Sequence, residues 1–395
     1  MSLKRVKKAW EFLRYFLCAE KIWRSPVKSD LLIFDATGQE EMIEYLRQWT
    51  PEVLHVFGEK INLPVLLASL FKRGKRIDAY VDCFIERVRP RLVITYIDNS
   101  PVFYSITSRN PNVKSMFIQN GSRAAELFES LPQEGEIAKH RHVDYMMVFG
   151  DHIGAKYARF VNGRALTIGS LRNNLFRRRA TLKKGTIAFV SQFRDMPGFI
   201  CGGRYCSREE FFGQVDQLVL PFLLNYADSH DKRLVIIPNV ELDGLNPVAI
   251  KEQDYYRRLL GQTFTFSERR GPAGGYDSTD AAEVVVSIDS SLGYESAARG
   301  NKTAFLPIRG TLLGMPDRNF GWPGQYPDEG PFWTNRASPA AFTRILDHLF
   351  ALDDRQWKQE LSTCEFAKIL AYDPGNSVLQ SVLAEAMGPE PELKN

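Results

Sequence analysis

The residues of this chain that could do chemistry gather at the ends of short apolar runs. Val284 to Ile288 is a β-branched run that ends in Asp289-Ser290-Ser291-Leu292-Gly293. A short helix is expected from Tyr294 to Arg299, stopped by Gly300, and a second apolar strand from Thr303 to Pro307. A turn of small hydroxyl residues opening a helix suits a phosphate. The first helical N–H groups have no intrahelical partner, and the dipole is positive at that end. Ser290, Ser291 and Gly293 are therefore candidate phosphate ligands. Glu295, in the first helical turn, is placed to reach the hydroxyls of a ribose. The plainer alternative is that the two serines cap the helix and Glu295 completes the cap.

Other strand ends carry comparable groups. In the second half of the chain these are Ser191-Gln192-Phe193-Arg194-Asp195, Pro238-Asn239-Val240-Glu241, Ser267-Glu268-Arg269-Arg270 and Arg309-Gly310. Hydroxyls, amides and arginines converging on one edge suit a nucleotide phosphate, because the guanidinium forks onto phosphate oxygens. In the first half they are Asp35-Ala36-Thr37-Gly38, Asp98-Asn99-Ser100, Gln119-Asn120-Gly121-Ser122-Arg123 and Gly150-Asp151-His152. Asn99, Gln119, Asn120 and Arg123 are the candidates for holding a sugar or an anionic acceptor. Asp98, Asp195 and Glu241 are the candidate catalytic carboxylates, since a group transfer at carbon needs a base or a nucleophile as well as charge stabilisation on the departing phosphate. Each has a plainer reading as a loop or capping residue. His152 and His230 are possible acids.

The elements that must position these groups alternate. Strands are expected at 31–35, 53–57, 92–97, 115–118, 145–149 and 165–168, with helices at 39–48 and 63–75. A basic polar stretch, Arg172 to Lys184, marks a boundary. The alternation restarts with strands at 186–190, 233–238, 264–266 and 283–288 and helices at 207–227 and 252–260; further helices follow at 340–352 and 355–371. Short continuous apolar strands separated by helical patterns belong to parallel sheets covered on both faces. The expected fold class is α/β, with two doubly wound Rossmann-like domains and a cleft between them. The domains read as a basic amphipathic helix over 1–28, an acceptor-side domain over 29–175, a nucleotide-sugar donor domain over 176–338, and C-terminal helices over 339–395 that pack across the interface.

Composition sets the remaining bounds. The chain has 395 residues, 44% hydrophobic and 25% charged, with a formal net charge of +4. That is ordinary for a globular protein and long enough for two cores. No apolar stretch approaches a membrane span and no signal peptide is evident. Five scattered cysteines fit a reducing cytoplasm, and Cys201 and Cys206 have no second pair at zinc spacing, so no metal is expected. Residues 1–28 carry eight Lys/Arg against Glu11 and Glu20, interleaved with aromatics, which reads as a candidate peripheral membrane contact. Nucleic-acid signatures are absent. No Gly-x-Gly-x-x-Gly, Gly-Lys-Ser/Thr or Gly-x-Ser-x-Gly motif occurs, which argues against dinucleotide, ATP and serine-hydrolase chemistry and for no cofactor. Two α/β domains and a phosphate-friendly cleft without those signatures point to sugar-nucleotide chemistry.

Three stretches carry a family resemblance: Phe189-Val190-Ser191-Gln192-Phe193-Arg194, Ser287 to Glu295 with Ala298-Arg299-Gly300, and Phe320-Gly321-Trp322-Pro323 through Phe332-Trp333. Together they resemble bacterial O-antigen and capsule biosynthesis proteins, which are similar to GT-B glycosyltransferases and in part to the retaining β-Kdo transferases. The resemblance implies a glycosyltransferase of lipopolysaccharide or surface polysaccharide assembly; arginine and helix-dipole stabilisation of the departing phosphate would let it work without a metal. Its donor would be a nucleotide sugar, CMP-Kdo foremost, and its acceptor an oligosaccharide or lipid-linked glycan. Ser290, Ser291 and Gly293 would hold phosphate and Glu295 the ribose, flanked by Ser191, Gln192 and Arg194; the strand-end reading adds Asn239 and Ser267 to the donor nucleotide's candidates. A sugar-nucleotide epimerase, a glycerol- or ribitol-phosphate transferase and a non-catalytic nucleotide-binding assembly protein remain open alternatives.

Overall fold

A computed structural model describes residues 16–388, apart from 73, 75, 132–138, 179–181, 202, 243 and 245. Two parallel sheets organise it. The first has six strands, in spatial order Glu52–Leu54, Leu31–Phe34, Leu92–Thr95, Lys114–Ile118, His142–Val148 and Asn162–Thr167. The second has five, in the order Thr265–Phe266, Arg233–Ile237, Lys183–Val190, Ala282–Ser287 and Thr303–Phe305. Every pairing in both sheets is parallel. The central strands, Leu31–Phe34 and Leu92–Thr95 among them, are buried at every position because helices cover both faces. This is the doubly wound α/β architecture expected from the alternation.

Each sheet has its own apolar core. Phe34, Val93, Phe117 and Met146 lie on one side of the first sheet, and Ile33, Ile94, Met116 and Met147 on the other. Ile187, Phe189, Ile236, Val284 and Val286 centre the second. The last helices divide between them. Phe342, Ile345 and Leu349 of the Pro339–Ala351 helix pack on the second core, while Leu379, Val382 and Leu383 of the Ser377–Met387 helix pack on the first. The chain thus crosses between sheets twice, at 168–178 and again near Ala371, whose N–H donates to the Phe149 carbonyl at 2.9 Å.

Several expected elements differ. Residues 1–15 lie outside the described part, and the remainder of the segment to 28 is not one helix. Glu20–Ile22 is a strand, parallel to Lys60–Asn62, and Glu20 N–H donates to the Glu59 carbonyl at 2.9 Å. The helix expected over 63–75 comprises Leu63–Ser69, with a separate helix at Arg76–Val88. Before the helix expected from 207 stands an antiparallel hairpin, Gly198–Cys201 with Arg204–Ser207. The helix expected over 355–371 ends at Thr363.

Candidate active site

The helix that opens after Ala282–Ser287 runs from Ser291 to Ala298, with Ser290 as its N-cap residue in extended geometry. The Ser290 side chain makes no capping bond, so the plainer capping account fails here. Both serines are half-buried and keep their hydroxyls available at the helix mouth. Gly293 is required by packing. A Cβ there would stand 2.2 Å from Ser287 Oγ, because this turn presses against the end of its own strand.

Glu295 has a different task from the one expected. It is 7% exposed. Its carboxylate accepts from Ser170 Oγ at 2.5 Å and from Tyr276 OH at 3.2 Å, and burial pushes its carboxyl upward. It therefore ties the helix to the first-domain end rather than presenting a carboxylate to a ribose. Half-buried Arg172, on the same first-domain end, stands near Glu295, Tyr276, Tyr96 and Arg269, and its charge acts on each of them. Burial, with Arg172 beside it, lowers the Arg269 guanidinium, which donates to the carbonyls of Pro238 (2.8 Å) and Asn239 (2.5 Å). Arg269 approaches Leu292 of the helix's first turn across Gly275. Arg172 escaped sequence reasoning because it lies in the basic stretch taken as a boundary.

A narrow cleft opens between the carboxyl ends of the two sheets. Gln119, Arg123 and Phe149 line it from the first, and Asp289, Tyr294, Arg318 and Trp322 from the second. Gln119 is fixed as a loop brace, its amide donating to the Gly121 carbonyl and accepting from Phe149 N–H, both at 2.9 Å. Arg123 reaches the cleft wall on a buried support. Asp98, with no exposed surface, accepts from Arg123 Nε at 2.7 Å, from Arg123 Nη2, and from Tyr157 OH at 2.5 Å. Arg123 also donates to the side chain of Asn120, whose own N–H reaches Asp98 at 3.4 Å. Asp98 is consequently an anchor, not the expected catalytic carboxylate. Asn99, beside it, is exposed.

Opposite, Asp289 accepts from Arg309 Nη1 at 2.5 and 2.6 Å and from Gln192 Nε2 at 2.7 Å, while Gln192 accepts from Arg309 at 3.1 Å. Burial alone would raise Asp289, but Arg309 and Arg318 outweigh it and hold the carboxyl below its ordinary range. Gln192 thus braces the Asp289 turn. Asp317 and Arg318, from the loop after the last strand, were not singled out from sequence; Asp317 accepts Ala125 N–H at 2.9 Å and closes that end of the cleft. His152 bonds Tyr326 OH at 3.1 Å, and burial together with Lys368 lowers its imidazole.

Other expected residues are dispersed. Ser191 is buried and points inward, donating to Glu252 and accepting from Tyr256 OH at 2.8 Å. Arg194 and Asp195 lie in a separate depression with Arg208, Lys251 and Arg258, where Asp195 pairs with Lys251 at 2.7 Å. Neither lines the cleft between the sheets. Asn239 N–H donates to Glu252 at 2.8 Å, and its carbonyl accepts from Arg269 at 2.5 Å. Ser267 Oγ is buried without a partner. Glu241 is exposed and accepts Gly271 N–H at 3.3 Å, with its charge acting on Arg269. Among the described residues no three His, Cys, Asp or Glu side chains gather as metal ligands would.

Residues 116–387 match a family described as "putative O-antigen biosynthesis protein". Among solved structures, the S. aureus MnaA–UDP complex is 12% identical over 93% of this chain and 96% of its own, with a TM-score of 0.51. The UDP-GlcNAc 2-epimerase of Methanocaldococcus jannaschii is 9% identical over 90% and 99%, with a TM-score of 0.51. The wall teichoic acid polymerase TagF is 10% identical over 91% and 90%, with a TM-score of 0.50. No curated protein sequence matches. At such identities the likeness is one of fold, two Rossmann-like domains in the GT-B arrangement. The family match covers well over half of the chain, from the last strands of the first sheet through the whole second sheet to the returning C-terminal helix, so the chain belongs to this family of O-antigen biosynthesis proteins.

Proposed function

We propose that this protein is a glycosyltransferase that moves a sugar from a nucleotide-activated donor to a growing surface glycan. One observation carries the reading: the Ser291–Ala298 helix opens on Ser290 without a side-chain cap, and the charge of Arg172 acts on both Glu295 of that helix and Arg269. Unpaired N–H groups, a positive dipole end and two guanidiniums offer an anion several hydrogen bonds and two charges. In a transfer the same groups stabilise charge as it develops on the departing phosphate. A CMP-linked ulosonic acid presents one phosphate and one carboxylate to those two cations, which keeps CMP-Kdo as the first donor to test. The acceptor would meet the first sheet, where Arg123 and Asn120 edge the cleft. Of the three expected carboxylates Glu241 alone neighbours Arg269, and we assign it the chemical role.

A thermal-shift panel with CMP, CDP, UDP, GDP, dTDP and ADP tests the reading. A nucleotide at about 100 times its Kd should stabilise by roughly 2.7 kcal/mol. Ser290→Ala with Ser291→Ala, and separately Arg269→Ala, should lose most of that shift. CMP alone shifting would support the ulosonic donor; a diphosphate winning would replace it; no shift at all would end the phosphate reading. Turnover with a glycan acceptor, lost in Glu241→Gln with nucleotide binding retained, separates a transferase from an epimerase or a binding protein.

A further inference from the structure

The Leu63–Ser69 helix presents a face that the fold leaves uncovered. From Leu63 to Phe71 the sequence is Leu-Pro-Val-Leu-Leu-Ala-Ser-Leu-Phe, with Ser69 its one polar side chain. Val65 is fully buried in the core that also holds Val81, Phe84 and Val88 of the Arg76–Val88 helix, and Ala68 packs on it. On the outer side Leu67 is 60% exposed, Leu70 53% and Phe71 90%. A helix apolar all round ordinarily lies inside protein or lipid. The strand Glu20–Ile22 extends this surface. Asn62 caps the helix by accepting Val65 N–H at 3.2 Å and also donates its amide to the Arg24 carbonyl at 2.9 Å. Trp23, 78% exposed, is thereby held beside the helix N-terminus.

Cations surround this apolar face. Lys21, Arg24 and Lys28 lie on the strand side, and Lys72 and Arg76 follow the helix; four of the five residues 72–76 are Lys or Arg. Of the nearby acids, Glu20 pairs with Lys60 at 3.1 Å and Glu86 with Lys72 at 2.5 Å, while Glu59 is exposed. We propose that this face docks on an anionic phospholipid bilayer, with Trp23, Leu67, Leu70 and Phe71 at the acyl boundary and the flanking cations at the headgroup phosphates. Charge decides the occupant. A second copy would bring the same cations face to face.

The proposal uses none of the cleft residues, so either reading can fail alone. Flotation of the full chain with phosphatidylcholine vesicles, with and without phosphatidylglycerol, tests it. Association is expected only with the anionic vesicles and is expected to fall as salt rises. Leu70→Glu with Phe71→Glu, both on the exposed face and away from the core, should lower the bound fraction about ten-fold. Lys72→Gln with Arg76→Gln should lower it by about ten-fold as well. Equal binding to both vesicle types, no binding to either, or full binding by the Leu70→Glu/Phe71→Glu variant would overturn the proposal. A dimer in solution that this variant converts to monomer would assign the face to a second copy instead.

Discussion

Asp98 and Asp216 are buried and Asp289 is half-buried, and the groups beside them decide what each can do. Asp98 is neutralised by the bidentate Arg123 guanidinium and Asp289 by Arg309, so both serve as supports for cations at the cleft. Asp216 has no such partner. It accepts from Tyr255 OH at 2.9 Å, and burial pushes its carboxyl up to about 7, only partly offset by that bond, Arg309 and Arg208, while Glu209 adds to the rise. The unfolded chain releases this proton near pH ~4, so between about pH 4 and 7 the folded state holds a proton the unfolded state lacks. Stability is therefore fully present below that window, falls as pH rises through it, and stays low above, by roughly 4 kcal/mol at most. Asp216→Asn keeps an acceptor for Tyr255 and should remove this slope. Urea midpoints across the window check it; parallel pH profiles for both proteins would refute the assignment.

At the scale of elements, the helix Ser291–Ala298 is set by how closely it approaches its own strand. Gly293→Ala places a methyl against Ser287 Oγ. Overpacking of this kind costs about 1–3 kcal/mol. The larger effect expected is on ligand, since the helix mouth must move; nucleotide-induced stabilisation should vanish even where the variant stays folded. A retained thermal shift would show that the mouth is not the phosphate site. This element was also the most legible in sequence. Its strand carries an apolar run, Val284 to Ile288, broken only by Ser287, and its turn is rich in small residues, both local signals, although the helix opens at Ser291 rather than at the expected Tyr294. The inner strands of both sheets were legible for the same reason. What local pattern could not reveal was pairing across distance. Glu295 looked free for a ribose because its partner Ser170 is 125 residues away, and Asp98 looked catalytic because Arg123 is 25 residues on. The Gly198–Ser207 hairpin was missed because each arm holds only four residues, too few for a period to register.

For the whole molecule, the question is what keeps two sheets in one arrangement so that a cleft exists. Arg299 stands at that junction. Its guanidinium has no exposed surface and pairs with Asp280 at 2.6 Å. The same group donates to the carbonyl and side-chain oxygen of Asn173, at 3.2 and 3.3 Å, and to the Phe176 carbonyl at 2.5 Å, all on the segment that links the sheets. It also lies over the rings of Tyr276 and Tyr372, the latter on the returning C-terminal chain. Beside it Asn174 donates to Asn376 at 2.9 Å, so linker and return are bonded to one another. One cation thus joins three parts of the chain that are far apart in sequence. Arg299→Ala leaves Asp280 buried without its cation and frees two linker carbonyls, a loss of about 3–5 kcal/mol. Lysine cannot reproduce the fork, so Arg299→Lys should recover little of it. If the junction holds the sheets together, the alanine variant should also unfold in two steps where the parent unfolds in one, and scattering should report a wider spread of dimensions. A variant that keeps a single transition and loses less than about 1 kcal/mol would place the coupling elsewhere, in the apolar packing of the C-terminal helices.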